Sequence, residues 1–506
     1  MKKSLAALLL AILALSYLSP ALSNATDGME MSMMGFEPPD SGRVWGENLF
    51  FSRMEEKTGL RFRFSQFSDA GDYRVALDAL KTGDRPLPDV LFKARLTPAD
   101  ARELYEAGVL TDLAPLLQRY SPAFYARLNS DPDLARAVTL EGGVIPALPH
   151  LSEIPAQNVL WVNREWLERL GLDLPETLED LRLALEAFRG SDPNRNGRAD
   201  EIPLSFQGAY DLKYLAHAWG FAANDFNVFV KDGAVRFMPL EEGFRPFVRW
   251  LRDAWDAGLL DPNAFSGLDA ARRQSEPKAA NRLGAFFAPS PVHLVPVEWA
   301  GQYTALPPIP HEGEAVYRTV ASPVFYGAFA VTTACPDVGR ALSWADNLYT
   351  PEGAILAAVG AEGADYVMDG DGTWRLLQEG QGEGYLARSV IATDYSAPGV
   401  SPDAFFRQFT DPMVKSLGEQ ADGVAAAAKD PFPPFALSRA QEEEIGPLQA
   451  VLGRYVDESL ARFVTGEWQA TEEQFDAFEA GLGERGVDRF VAFWQRIYDG
   501  GTSDAD

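Results

Sequence analysis

The sequence holds a single cysteine, Cys335. One thiol forms neither an internal disulfide nor a redox pair, and its place after the apolar stretch Ala328–Ala334 reads as buried and structural. Histidine is almost as scarce. His150, His217, His293 and His311 are the four, and none has the spacing of a metal-ligand pair, so a zinc centre lacks support. Positive charge is in deficit too: 45 basic residues stand against 73 acidic ones, a formal net charge of -28. Such a surface repels nucleic acid and anionic membranes. No nucleophile elbow and no P-loop occurs, and the glycines at 380, 382 and 384 lack a strand-to-helix setting. A glycosidase-like acid pair stays open, because so many acids offer too many combinations.

Long apolar runs are missing beyond the amino terminus. There, Lys2 and Lys3 precede an apolar run from Leu5 to Leu18, and small or polar residues follow to Ala25. This is the pattern of a cleavable secretory signal over residues 1–25. The run is shorter than the roughly 20 residues of a membrane-spanning helix. It carries no lipid-anchor cysteine, so a soluble periplasmic protein is expected.

At 506 residues the chain is too long for one core. Met29–Phe36 reads as a first strand closed by Gly35, although its methionines would also suit soft copper. Helices are expected over 49–58, 73–82 and 98–107, each stopped by a glycine, with strands over 60–67 and 88–92 between them. Strand 159–163 leaves the first lobe. Thr177 caps a helix with the stripe Leu178, Leu181, Leu185 and Phe188. Further helices are expected over 247–257 and 338–349, a strand over 322–332, and a mostly helical carboxy-terminal third. This alternation predicts α/β lobes with largely parallel sheets.

The sharpest motif is Asp192-Pro-Asn194-Arg-Asn196-Gly197-Arg198-Ala-Asp200-Glu201. Oxygen-bearing side chains at positions 1, 3 and 5, then glycine, wrap a hard cation. Arg198 would lend its backbone carbonyl. Position 12 is Pro203, so the EF-hand spacing fails and Asp200 with Glu201 must complete the sphere. The reading is a lone structural Ca2+ loop between a helix and a strand.

Several strings then carry a resemblance. Glu55-Glu56-Lys57-Thr58-Gly59, Leu80-Lys81-Thr82-Gly83-Asp84 leading to Pro88-Asp89-Val90, and Ala107-Gly108-Val109-Leu110-Thr111-Asp112-Leu113 come first. Val144 to Pro149, Val162-Asn163-Arg164-Glu165-Trp166-Leu167 and Pro175 to Leu181 follow. In this order the chain resembles the extracellular solute-binding proteins of family 1. The calcium string looks like the long branch that includes alginate-binding proteins. Many members of that branch carry a lipobox cysteine, which this chain lacks.

The resemblance implies a hinged two-lobed fold with ligand in the cleft. The first lobe is expected over 27–155 plus 326–400, and the second over 156–325 plus 401–500. It implies no catalysis, a carbohydrate ligand, permease subunits of an ABC importer as partners, and a monomer. The sugar is left open between mono- and oligosaccharide and between neutral and uronate. A polysaccharide-degrading enzyme and a sensory binding protein are the alternatives. Sugar clefts need flat apolar faces and planar polar groups. By position at strand and loop ends, the candidates are Trp45, Glu47, Asn48, Arg95, Tyr210, Trp219, Phe287, Trp299, Tyr326 and Arg407. Trp45 is favoured because it sits in a polar stretch, and Arg95 and Arg407 would suit an acidic sugar.

Overall fold

The computed structural model describes residues 29–152, 158–265, 281–318, 324–377, 387–426, 428–429, 432 and 437–503. The expected secretory signal and the expected lobe boundary at 155/156 lie outside the described residues.

Ten strands build the two main sheets: β1 (Met29–Phe36), β2 (Leu60–Phe67), β3 (Val90–Phe92), β4 (Leu148–Leu151), β5 (Val159–Asn163), β6 (Ile202–Ser205), β7 (Leu283–Ala288), β8 (Tyr303–Ala305), β9 (Val324–Val331) and β10 (Gly399–Val400). The first sheet has the order β10-β4-β9-β3-β1-β2 and the second β8-β5-β7-β6. Each belongs to its own hydrophobic core. One core joins residues such as Met31, Phe92, Leu148, Phe329, Trp344 and Val400, and the other joins Trp161, Leu204, Phe286, Tyr303, Leu460 and Phe490. The chain therefore passes between two lobes after β4, before β9 and after β10. β9 lies whole in the first sheet, so the expected boundary at 325/326 moves ahead of Val324.

The expectation of mostly parallel sheets holds for strand direction with one reversal in each sheet. In the first, β9 alone runs antiparallel to its neighbours β3 and β4. In the second, β5 alone opposes β7 and β8. The physical reason is the crossover. β5 and β9 are the strands on which the chain enters a lobe, so they start at the edge where the other strands end. These edges face each other across the crossings: the ends of β1, β3, β4 and β10 with the start of β9 in the first lobe, and the ends of β6, β7 and β8 with the start of β5 in the second.

Local chemistry accounts for the elements that shape this edge. The Met-rich run is core strand, with Met31, Met33 and Met34 buried. Gly35 does not close the strand as expected. A Cβ there would lie 1.6 Å from the Phe92 carbonyl oxygen, so glycine lets β1 and β3 approach. Helix α1 (Leu49–Thr58) is capped by the Asn48 side chain and ended by Gly59 in the left-handed region. Helix α2 (Pro98–Glu106) follows β3 and carries a Thr97/Asp100 capping box.

In the second lobe, α3 (Leu178–Gly190) has the Thr177/Asp180 capping box and buries Leu181, Leu185 and Phe188, the expected stripe. Helix α4 (Phe244–Asp256) packs on the carboxy-terminal helices α5 (Pro412–Ala426), α6 (Arg439–Thr465), α7 (Glu472–Glu484) and α8 (Val487–Ser503), which complete that lobe. Among the described residues no helix is long and apolar enough to cross a membrane.

Candidate functional site

A cavity of about 340 Å³ opens on the facing edge of the first lobe, lined by Arg95, Phe325, Tyr326, Asp394, Tyr395 and Ser396 among others. Its floor is a pair of rings. Phe325 at the start of β9 stacks on Tyr395 at 4.2 Å between centroids and 5° between planes. Tyr395 keeps 37% of its surface exposed, so one face is packed and part of the ring is open to a ligand. His150 at the end of β4 packs edgewise on Tyr395 at 5.5 Å. Its Nδ1–H donates to the Ala397 carbonyl at 2.8 Å, and Nε2 accepts from the Ser401 hydroxyl at 2.9 Å. Burial pushes this imidazole below its ordinary pKa, against the opposing pull of the Ala397 bond and the Asp394 charge. A neutral ring locks the platform from beneath.

Behind the platform lies a charged network. Lys93, fully buried and in the left-handed region at φ 48°, reaches Glu37 at 2.8 Å and Asp394 at 3.2 Å. Arg95 pairs with Asp394 at 3.2 Å and lies over the Phe36 ring at 4.7 Å. Burial alone would raise the Asp394 carboxyl. The Lys93 charge, the Ser396 hydroxyl and Arg95 outweigh it and hold that carboxyl below its ordinary value. Arg43 and Asn48 fix the same loop, donating to the carbonyls of Val390 and of Ala387 and Val390 respectively. The segment that carries Tyr395 is thus tied to the first sheet at several points.

The facing wall of the second lobe follows β6 and β7. Tyr210 is 38% exposed, and its hydroxyl lies 3.2 Å from that of Tyr214. Arg318 is buried behind these rings, 4.2 Å from the Tyr214 centroid, and pairs with the exposed Asp225 at 2.8 Å. Asp211 accepts from the Asn158 amide at 3.1 Å. The Tyr214 hydroxyl is held above its ordinary pKa, chiefly by burial.

Of the ten residues expected in a cleft, Arg95 and Tyr326 line the first wall and Tyr210 stands on the second. The others are placed differently. Trp45 has no exposed surface: its ring is packed edgewise on Phe64 and Phe92, and its N–H donates to Glu37 at 3.0 Å. Its polar neighbours in sequence hid a core position. Asn48 is the buried cap already described. Glu47 is exposed on the short helix Trp45–Glu47.

Trp219 packs on Phe247 and Trp250 of α4. Phe287 is buried in β7, 6.0 Å from Tyr214. Trp299 belongs to the short helix that leads to β8, whose start pairs with Asn163 at the opposite end of the sheet. Arg407 pairs with Asp422 of α5 at 3.1 Å. Sequence reasoning missed Phe325, Asp394 and Tyr395. Residues 391–401 carried no reading of their own, and their partners Phe325, His150, Lys93 and Arg95 come from separated parts of the chain.

The loop Asp192–Glu201 joins α3 to β6, as the helix-loop-strand reading expects. It precedes the start of β6, so it occupies the end of the second sheet remote from the facing edge. Asp192 accepts from the Asn196 and Gly197 amides at 3.0 and 2.9 Å, and Asn194 and Asn196 accept backbone N–H bonds in turn. Both Glu201 carboxylate oxygens are buried without a hydrogen-bond partner. Burial, then the charges of Asp192 and Asp200, raises the Glu201 pKa. Among the described residues His, Cys, Asp and Glu alone form no metal-binding cluster, so the site would depend on Asn194, Asn196 and the Arg198 carbonyl as well. A cavity of about 750 Å³ lies beside this loop, lined by Arg189, Glu201 and Trp255 among others, away from the crossings.

No family model matches the chain. In sequence it is 31% identical over 247 residues to the fructooligosaccharide ABC transporter substrate-binding protein FusA of Streptococcus pneumoniae, covering 46% of this chain and 45% of that protein. It is 25% identical over 175 residues to the lipoprotein LipO of Bacillus subtilis, covering 33% and 32%. The match thus spans less than half the length of either curated relative. In structure it is similar to FusA in complex with kestose, with a TM-score of 0.77, 20% identity and coverage of 94% of this chain and 100% of that one. The alginate-binding protein AlgQ2 without calcium ion gives a TM-score of 0.71 at 18% identity, covering 93% and 98%. In fold the chain is thus similar to two-lobed solute-binding structures, and in sequence about half of it is similar to an ABC-transporter substrate-binding protein.

Proposed function

We propose that the chain captures a carbohydrate between its lobes and delivers it, chemically unchanged, to the permease subunits of an ABC importer. The observation that carries this is the Tyr395 ring, packed on one face by Phe325 and open to the facing edge beside the Arg95–Asp394 pair. A flat ring suits the C–H face of a sugar, and an adjacent donor and acceptor suit its hydroxyls. FusA and AlgQ2 are binding proteins, which favours capture over catalysis. Export through the amino-terminal signal to the periplasm and a monomeric state belong to the same reading.

A structural calcium ion completes it, held by Asp192, Asn194, Asn196, the Arg198 carbonyl, Asp200 and Glu201. The buried, unpartnered Glu201 carboxylate supports it, and among the structural relatives are a FusA EF-hand mutant and an AlgQ2 structure without calcium ion. The capture reading is tested by calorimetric titration with kestose, maltotriose and xylotriose. Tyr395→Ala is expected to weaken the best of these by at least roughly tenfold without lowering the melting temperature more than slightly. Release of new reducing ends from the sugar, or no binding to any of them, defeats the reading.

A further inference from the structure

Arg95 and Asp394 stand side by side on the cavity wall, and Arg95 is the one cation among the described residues that lines it. Its side chain is 44% exposed, but one of its terminal nitrogens is already committed to Asp394, whose side chain is 33% exposed. Lys93, the next cation, is fully buried and shared between Glu37 and Asp394. On the opposite wall Arg318 is only 4% exposed, whereas its partner Asp225 is 51% exposed. Each of these three cations is therefore either buried or matched by a carboxylate that reaches the surface as well.

The two kinds of sugar group respond differently to such walls. A hydroxyl both donates and accepts, so an Arg–Asp pair satisfies two neighbouring hydroxyls at once. A carboxylate only accepts. Brought to Arg95, it would sit against Asp394, and on the other wall it would meet Asp225. Like charges brought together cost several kcal/mol unless one is displaced, and the overall charge of -28 adds repulsion at longer range.

We infer that this site selects uncharged oligosaccharides and rejects uronates, with Asp394 as the specificity-determining residue that neutralises Arg95. The inference rests on the proposed capture function and narrows its ligand class. Rejection here is an unfavourable contact set against the wrong ligand rather than an extra contact to the right one.

The experiment is a calorimetric titration of the full mature chain with kestose, maltotriose and xylotriose, and in parallel with trigalacturonate and trimannuronate. At least one neutral trimer is expected to bind, with both uronates roughly 100-fold weaker or undetected, as several kcal/mol of repulsion requires. Asp394→Asn is expected to raise uronate affinity at least roughly tenfold, because it removes the repelling carboxylate and frees Arg95. If that variant does not fold, the wild-type ratio and its salt dependence decide: repulsion predicts that salt improves uronate binding and leaves neutral binding unchanged. Uronates binding as tightly as neutral trimers overturn the inference and leave capture intact. Binding of neither class overturns both.

Discussion

Arg102 of α2 in the first lobe donates to Glu442 of α6 in the second at 2.6 Å and to the Leu437 carbonyl at 2.7 Å. Arg439 returns the gesture, pairing with Glu106 at 2.9 Å. Arg102 is buried, and the Tyr326 hydroxyl is buried nearby without a hydrogen-bond partner, feeling the charges of both Arg102 and Glu442. Removing one member of a buried pair strands the other, but Glu442 is partly solvated and the effect is discounted accordingly. Arg102→Ala is expected to lower stability by about 2 kcal/mol, read by thermal unfolding, and Arg439→Ala by much less.

Trp45 decides between core and cleft. Trp45→Ala removes a fully buried indole and one of the hydrogen bonds to the Glu37 carboxylate. A loss of about 3–5 kcal/mol in stability is expected. Trp45→Phe is expected to fold and to bind sugar with wild-type affinity, since the ring does not reach the cavity. A large loss of affinity in the phenylalanine variant would return Trp45 to the site.

Calcium is expected to raise the melting temperature, because an ion bound only by the folded chain stabilises it by about 3 kcal/mol at 100 times its Kd. Chelation reverses this. Asp192→Ala is expected to abolish the response while leaving sugar affinity nearly intact, since the loop lies at the far end of the second sheet. Equal melting with and without chelator in the wild type would remove the ion from the account.

His217 makes stability fall in acid. Its Nδ1–H donates to the Tyr214 carbonyl at 2.5 Å, and Nε2 accepts from the Ile309 amide at 3.0 Å. A second proton has no place. Burial pushes its pKa from 6.5 down to about 4. Between those values the unfolded chain binds a proton that the folded one refuses, so the contribution is complete above pH 6.5 and declines as the pH falls toward 4. The loss is on the order of 3 kcal/mol. His217→Asn keeps the donor to Tyr214 and is expected to flatten melting temperature against pH over this window. An unchanged slope would show that other groups carry the acid response.

The regular elements were legible because their causes are local. Asn48, Thr97 and Thr177 cap helices that begin where the sequence places them, and the Leu181, Leu185, Phe188 stripe is buried as spaced. The helix-loop-strand order around Asp192–Glu201 was legible for the same reason. Trp45 misled because flanking polarity says little about a side chain whose partners, Phe64 and Phe92, come from other strands. The cleft platform was out of reach: Tyr395, Phe325 and His150 meet only because three separated segments join one sheet edge. Arg95 and Tyr326 line the cavity because strand ends of an α/β sheet are where such edges lie.

The strand β9 sits between β3 and β4 yet follows them in the chain by the whole second sheet. A ribosome must therefore make residues through Val331 before the first sheet has its central strand, and through Val400 before it has its outer one. Until then β3 and β4 expose unpaired edges that can meet no partner in the completed part of that sheet. The amino-terminal lobe is the first begun but cannot close before residue 400, and the second lobe waits longer still, for α5 to α8. Fragments ending near residue 318 will lack the central strand of the first sheet and the carboxy-terminal helices of the second lobe.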